Sequence, residues 1–552
     1  MRGTPTVSLR TAAQAYQLSP AAAVLQRIRV EDPTATDTNG GKWYGFASVA
    51  VNRVNDVVIG YTQFASNQFA SAGYSVHLNT DAPNTVRDPV IYQAGLGYYD
   101  KDFTASGTDT GGNRWGDYSI TQVDPVNDTD LWTIQELANP PVGTGNPVGT
   151  GNNSGRWNTW WAKIEFQGLD ELNISEFRLR GPNGPTDEFI EIYNFGPAPV
   201  TVQSLDGSAG YSVAASDGVA RCIIPNGTVI PSQGHALCTN SAGYSLDSYP
   251  AGDGTTATGD FIYATDIADN AGIALFRTSN PVNFSVATRL DAAGSTSEAN
   301  TLYKEGSGYP AITGFNIDYS FFRDLCGKGG SVTQLGACPT GGLPKDTNDN
   351  AVDFVYVDTF GVNNGGVQRL GAPGPENLSS PIQRNNQFAA PNLDTTVGTS
   401  SPPNRVRTLT SDPANNSTFG TLDIRKRVVN NTGAPVTRLR FRVIDITTFP
   451  SSSTPGFADL RARTSTTVVV SGVNDTATCG AAPTPCTVTV EGTTLETPPP
   501  QPNGGGFNSS LSAGTVALAT PIAPGESINV RFLLGIQQTG SFKFFVNIEA
   551  LP

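Results

Sequence analysis

Along most of the chain apolar and polar residues alternate in short runs broken by Gly, Pro, Asn and Asp, the pattern of half-buried strands joined by tight turns. The C-terminal part shows it best: TLDIRKRVV from Thr421, RLRFRVIDIT from Arg438, STTVVVSGV from Ser465 and CTVTVEG from Cys486 each place every second residue on one face. With SINVRFLLGI from Ser527 and QQTGS as a hairpin turn before the last strand, residues 376–552 read as an antiparallel β-sandwich. The basic run Arg425-Lys426-Arg427 falls inside one of these alternations and reads as strand.

The first part carries an internal repeat. WYGFASVAVNRVND from Trp43 aligns without gaps on WGDYSITQVDPVND from Trp115, an offset of 72 residues that matches Phe46 with Tyr118 and Asn55-Asp56 with Asn127-Asp128. An apolar run follows each copy, VVIGYTQF or DLWTIQEL, and then another, AGYSVHL or TWWAKIEF. Strand, Asn-Asp turn, strand, loop and strand repeated in this way is the sequence form of a propeller blade, so 1–166 is expected to hold a partial β-propeller of about two blades. All six tryptophans precede residue 167, which marks the boundary. Two blades cannot close a ring, and MRGTPTVSLRTAAQAYQLSP lacks the apolar run of an export signal. Together these lead to the expectation that the chain is the C-terminal portion of a longer secreted protein. The duplicated hexapeptide PVGTGN at 141–152 reads as an exposed loop insertion within the second blade.

The segment from Leu172 combines Ile174-Ser175-Glu176, the run Asp187 to Asn194 (DEFIEIYN), Ile230-Pro231 with Gly234 before HALC, and Asn270 to Phe276. In combination these resemble the lamin-tail domain, an immunoglobulin-like β-sandwich of nuclear lamins and of many bacterial surface and secreted proteins. The likeness spans roughly 170 to 295. It implies a lamin-tail-like sandwich within 167–375, followed by a Gly-rich extension and by RLGAPGPENLSSP, read as a Pro/Gly hinge before the last domain. The first part is similar to the last blades of sialidase-like propellers. It lacks the Ser-x-Asp-x-Gly-x-Thr-Trp box of that family and holds too few blades for its catalytic set.

Composition sharpens this all-β picture. A chain of 552 residues exceeds one hydrophobic core, and 60 Gly with 39 Pro favours turns over helices. The net charge of -14 repels phosphate backbones, so nucleic acid is not an expected partner, and no apolar run is long enough for membrane insertion by a helix. Six cysteines fall in three local pairs, Cys222 with Cys238, Cys326 with Cys338 and Cys479 with Cys486. None is a CxxC and only His77 and His235 could assist a metal, so three disulfides are expected, each worth roughly 2–3 kcal/mol and implying an oxidising compartment.

Candidate chemistry is sparse. GNRWGDYS packs Arg114, Asp117 and Tyr118 together; the repeat accounts for the aromatic positions as packing, whereas Arg114 and Asp117 have Lys42 and Gly45 as counterparts and stay as candidate ligand-binding residues. DTNDNAVD offers Asp346, Asn348, Asn350 and Asp353 as oxygen donors suited to a weak Ca2+ loop, although the glycine and glutamate of an EF-hand are missing. Turn chemistry, with Asn and Asp bonding their own backbone, is the alternative. Glu188 and Glu191 lie three apart on one strand and face opposite ways, so they cannot form an acid-base pair. The expected function is adhesion, anchoring or binding of a protein or glycan outside the cell or at its surface, without catalysis in this chain. The alternatives are the C-terminal part of a sialidase-like glycoside hydrolase or an accessory module of a secreted hydrolase.

Overall fold

The computed structural model describes residues 11–34, 41–52, 55–79, 81–99, 115–117, 119–125, 130–141, 155–164, 171–204, 206–250, 254–312, 316–361, 369–450 and 454–552. The chain forms two compact units, 1–169 and 170–552. The boundary expected at 166/167 lies beside that division, while the one expected at 375/376 falls inside the second unit. Among the described residues the molecule is nearly all β, its helices are single turns, and no sheet closes into a barrel.

In the first unit the repeat appears as two antiparallel meanders. Lys42–Val51, Val57–Ala65 and Gln68–His77 form one, with Val90–Gln93 added at its edge, and Ile120–Val123, Leu131–Asn139 and Arg156–Ile164 form the other. A backbone bond from the aligned residues Asn52 and Asp124 closes each first turn, Asn52 N–H to Asp56 O (3.0 Å) and, across a turn two residues longer, Asp124 N–H to Asp130 O (2.8 Å). The meanders stack closely because Gly60 has no side chain: a Cβ there would lie 2.2 Å from Thr133 Oγ1. The expected early strands form a separate hairpin, Ala13–Leu18 with Val24–Val30.

The second unit holds two sandwiches. In the first, Leu172–Arg178 pairs with Phe189–Asn194 and with Tyr319–Arg323, inside a sheet that continues through Phe354–Asp358 to Arg369–Leu370. What the sequence suggested as a Gly-rich extension thus supplies strands to this sheet. The opposing sheet contains Gly210–Ala215, Ala220–Pro225, Ile273–Phe276 and Arg289–Ala293. Ile174, Ile190 and Ile192 from one side meet Val213, Ile224 and Leu275 from the other, and the Cys222–Cys238 disulfide joins the two sheets within this core. The other two expected pairs are also bonded, Cys326–Cys338 and Cys479–Cys486.

The second sandwich packs the sheet containing Arg438–Ile446 and Phe544–Leu551 on that containing Thr421–Asn430 and Ser527–Gln538. In RLRFRVIDI the residues Leu439, Phe441 and Val443 enter the core and Arg440 and Arg442 point the other way, as the period of two requires. That other face is not solvated: both arginines are buried. Nor is 369–380 a free hinge. Residues 370 to 377 are buried throughout, and the Ala372 amide bonds to the Phe507 carbonyl of the second sandwich at 3.1 Å.

Candidate functional site

The GNRWGDYS candidate divides between described and undescribed residues. Arg114 and Tyr118 lie outside the described residues, and Asp117 is exposed. Trp115 donates from Nε1 to Thr62 Oγ1 (3.2 Å) and packs edge-on against Phe64 and Tyr99. Gly116 adopts φ +94° with its amide 2.7 Å from Glu136 Oε2, and a Cβ at this position would fall 1.7 Å from the Phe46 ring. Trp115 and Gly116 are therefore packing residues.

The oxygen-rich loop is organised by an arginine. Asp346 and Asp353 lie 3.4 and 3.6 Å from Arg323 Nη1, whose Nη2 pairs with Asp291 at 2.5 Å. Asp353 also accepts from the Thr347 amide (2.8 Å) and hydroxyl (2.7 Å). The Asn350 side-chain oxygen accepts from the amides of Gly294 (2.9 Å) and Glu305 (3.0 Å), and its nitrogen donates to Ala292 O (2.8 Å). Asn348 is exposed, in a left-handed turn at φ +57°. Two of the four expected donors, Asp346 and Asp353, thus share a guanidinium, while Asn350 serves backbone groups and Asn348 a turn.

A denser cluster lies between the sandwiches of the second unit. Phe189–Asn194 is buried on both faces: Ile190 and Ile192 face the sandwich core, and Glu191 faces the other way, opposite Glu176 on the neighbouring strand. His235 on His235–Asn240 joins them, with Nε2 3.1 Å from Glu376 Oε2 and 3.7 Å from Glu191 Oε1. From the second sandwich, Arg440 and Arg442 bind Glu549 at 2.5 and 2.7 Å. Both also pair with Glu376, Arg442 at 3.1 Å. The supposed hinge completes the cluster: the Gly374 amide donates to Glu176 Oε1 (3.1 Å) and the Glu376 amide to Glu191 Oε2 (2.7 Å).

The charges do not balance if every carboxyl ionises, since Glu176, Glu191, Glu376 and Glu549 face two guanidiniums. Burial resolves this. It raises the Glu191 carboxyl well above its ordinary range, helped by the adjacent Glu176, and raises Glu176 in spite of Arg442. For Glu549 burial pushes upward too, but Arg442 and Arg440 outweigh it and hold the group below its ordinary value. Burial, then the two arginines, depresses His235 well below the usual imidazole range, so it is neutral near pH 7. Glu191, His235 and Glu376 each bring a ligand atom within 4.8 Å of the others, a set that could in principle hold a cation. Arg440 and Arg442 already place two positive charges on the same Glu376 carboxylate, so the arrangement suits a structural ion network better than a metal.

Glu188 and Glu191 do face opposite ways. Glu188 accepts from the Ile267 amide (2.7 Å) and from Asn240 Nδ2 (2.8 Å), while Glu191 faces Glu376. The network is not displayed by the sequence as a unit, because its members lie far apart, from residue 176 to residue 549. A signal was present: acids in the apolar strands ISEF and FIEIY, matched by paired arginines on one face of RLRFR.

No protein-family model and no curated protein matches the sequence. Among solved structures, the chain is similar to a DUF4876 family protein from Bacteroides thetaiotaomicron at 12% identity, over 64% of this chain and 90% of that one, with a TM-score of 0.24. A score that low supports no inference about fold or function.

Proposed function

We propose that the chain is an extracellular or cell-surface protein that binds or anchors without catalysis, in which residues 170–552 act as one rigid body. The observation that carries this reading is Glu376, which couples Arg440 and Arg442 of the second sandwich to His235 of the first from within the connecting segment. A network whose carboxyl groups are engaged by guanidiniums and backbone amides resists hinge motion. Three disulfides agree with an oxidising compartment, and no described helix is long and apolar enough to cross a membrane. The lamin-tail-like residues Ile174 to Glu176 and Asp187 to Asn194 support the same placement, because that resemblance extends to bacterial surface proteins.

The test is to apply fluorescently labelled protein to intact bacterial cells and to a glycan array, with a panel of reporter glycosides assayed in parallel. Saturable binding without turnover is the expected result. Glycoside hydrolysis that disappears in Asp117→Asn would replace this reading with the hydrolase alternative.

A further inference from the structure

The second sandwich opens a cleft to solvent beside its core. Between its sheets lies a cavity of about 480 Å3, walled by Phe441, Phe532, Phe544, Val546 and Ile548. Protein interiors are packed as densely as organic crystals, with few voids larger than a water molecule. A space of this volume falls within the range of about 300–1,000 Å3 typical of small-molecule sites. Phe542, Phe544 and Val546 are packed against the core and yet only partly buried, so the cavity opens to solvent beside them.

The strand Thr421–Asn430 supplies one wall and one anomaly. Leu422, Ile424 and Val428 belong to the core, and the period of two puts Lys426 on the same inward face. Lys426 lines the cavity, and its amine donates to Asn392 Oδ1 at 2.9 Å, a neutral acceptor. Burial and the nearby Arg405 both disfavour its charge. Arg405 also lines the cavity, with its guanidinium carbon 5.1 Å from the Phe542 ring centroid, Nη1 3.3 Å from Ser400 Oγ and a buried Nε without an acceptor. Neither cation has an ion pair among the described residues. The third cation, Lys543, differs: Asp445 holds its amine at 2.8 Å.

Two unneutralised cations at an apolar cavity define the complementary ligand. We propose that the second sandwich binds an amphiphilic carboxylate, with its hydrocarbon body between the sheets among Phe441, Phe532 and Phe544 and its carboxylate at Arg405 and Lys426. The anion supplies the charge that the protein withholds from both groups, and the chain occupies volume the core leaves empty. This inference stands apart from the rigid-body reading, which concerns the opposite face of the Arg438–Ile446 sheet.

Isothermal titration of the full chain with sodium dodecanoate, below its micelle concentration, tests the proposal, with dodecanol and sodium butyrate as comparators. Dodecanoate is expected to bind saturably at one site per chain, dodecanol at least about tenfold more weakly, and butyrate more weakly still. Lys426→Met with Arg405→Met should bring dodecanoate down to the affinity of dodecanol while leaving dodecanol unchanged. Lys426→Met puts an apolar residue on an apolar face and is expected to fold. Val546→Phe, which narrows the cavity, should weaken both ligands. Absence of saturable dodecanoate binding to the unaltered protein, or equal affinity for dodecanoate and dodecanol, would overturn the proposal without any variant. Undiminished binding in Val546→Phe would place the ligand elsewhere and overturn it as well.

Discussion

Arg442 Nη2 lies 3.1 Å from the Glu376 carboxylate, joining a residue on the outer face of one sandwich to a segment composed like a flexible linker. Both groups are almost wholly withdrawn from water. Removing one partner strips the other of one of its two buried counter-charges, since Glu376 keeps Arg440 and Arg442 keeps Glu549, which places the cost at about 3 kcal/mol, the low end for breaking a buried pair. Glu376→Ala and Arg442→Ala should each destabilise the second unit by that amount in equilibrium denaturation. The double variant should lose clearly less than the sum of the two; additive losses would mean the pair is not coupled.

The arginines and the linker show where sequence legibility ends. Alternation in RLRFRVIDI locates the strand and separates its two faces, but it cannot say what covers the polar face. Here another sheet covers it, and the charges become internal. RLGAPGPENLSSP has the Gly and Pro content of a linker, yet composition does not report burial: carboxylates from distant strands satisfy the Gly374 and Glu376 amides. The disulfides and the repeated meander were legible because each is sequence-local. Alternation places Lys426 in a strand, as the one charge in register with Leu422, Ile424 and Val428, but it does not show that this face lines a cleft.

Glu188 gives the stability of the first sandwich a pH dependence. Burial raises its carboxyl to about 7, against the bonds from Asn240 and the Ile267 amide. The folded state then holds the proton more tightly than the unfolded one. Its contribution is complete below the unfolded value of 4.5 and is lost as pH rises to about 7. Glu188→Gln should remove this dependence, so that the variant gains on the parent by on the order of 3 kcal/mol between pH 4 and pH 8. Denaturant titrations at several pH values measure it; parallel profiles for the two proteins would refute it.

Thiol titration of the unfolded, unreduced protein should find no reactive cysteine, because all six are paired. Replacing Cys222 and Cys238 by alanine opens a link of sequence separation 16 and should cost about 3 kcal/mol. Six titratable thiols would contradict both the bonds and the extracellular placement.

At the oxygen-rich loop, Arg323 supplies the positive charge facing Asp346 and Asp353. The melting temperature should therefore be the same in excess Ca2+ and in chelator. Asn350→Ala should lower stability by about 2–4 kcal/mol under both conditions, since it strands two buried amides. A calcium-dependent rise in melting temperature that Asn350→Ala abolishes would instead support a Ca2+ loop.

The segment 369–380 decides whether the two sandwiches are one body. Native-state hydrogen exchange on the full chain reads it directly through the amides of Gly374 and Glu376, which donate to Glu176 and Glu191. The expected result is strong protection at both amides, lost at the same denaturant concentration as protection in Phe189–Asn194 and Arg438–Ile446. Rapid exchange at Gly374 and Glu376 in native buffer, with the two strands opening independently, would mean that the segment is a hinge after all.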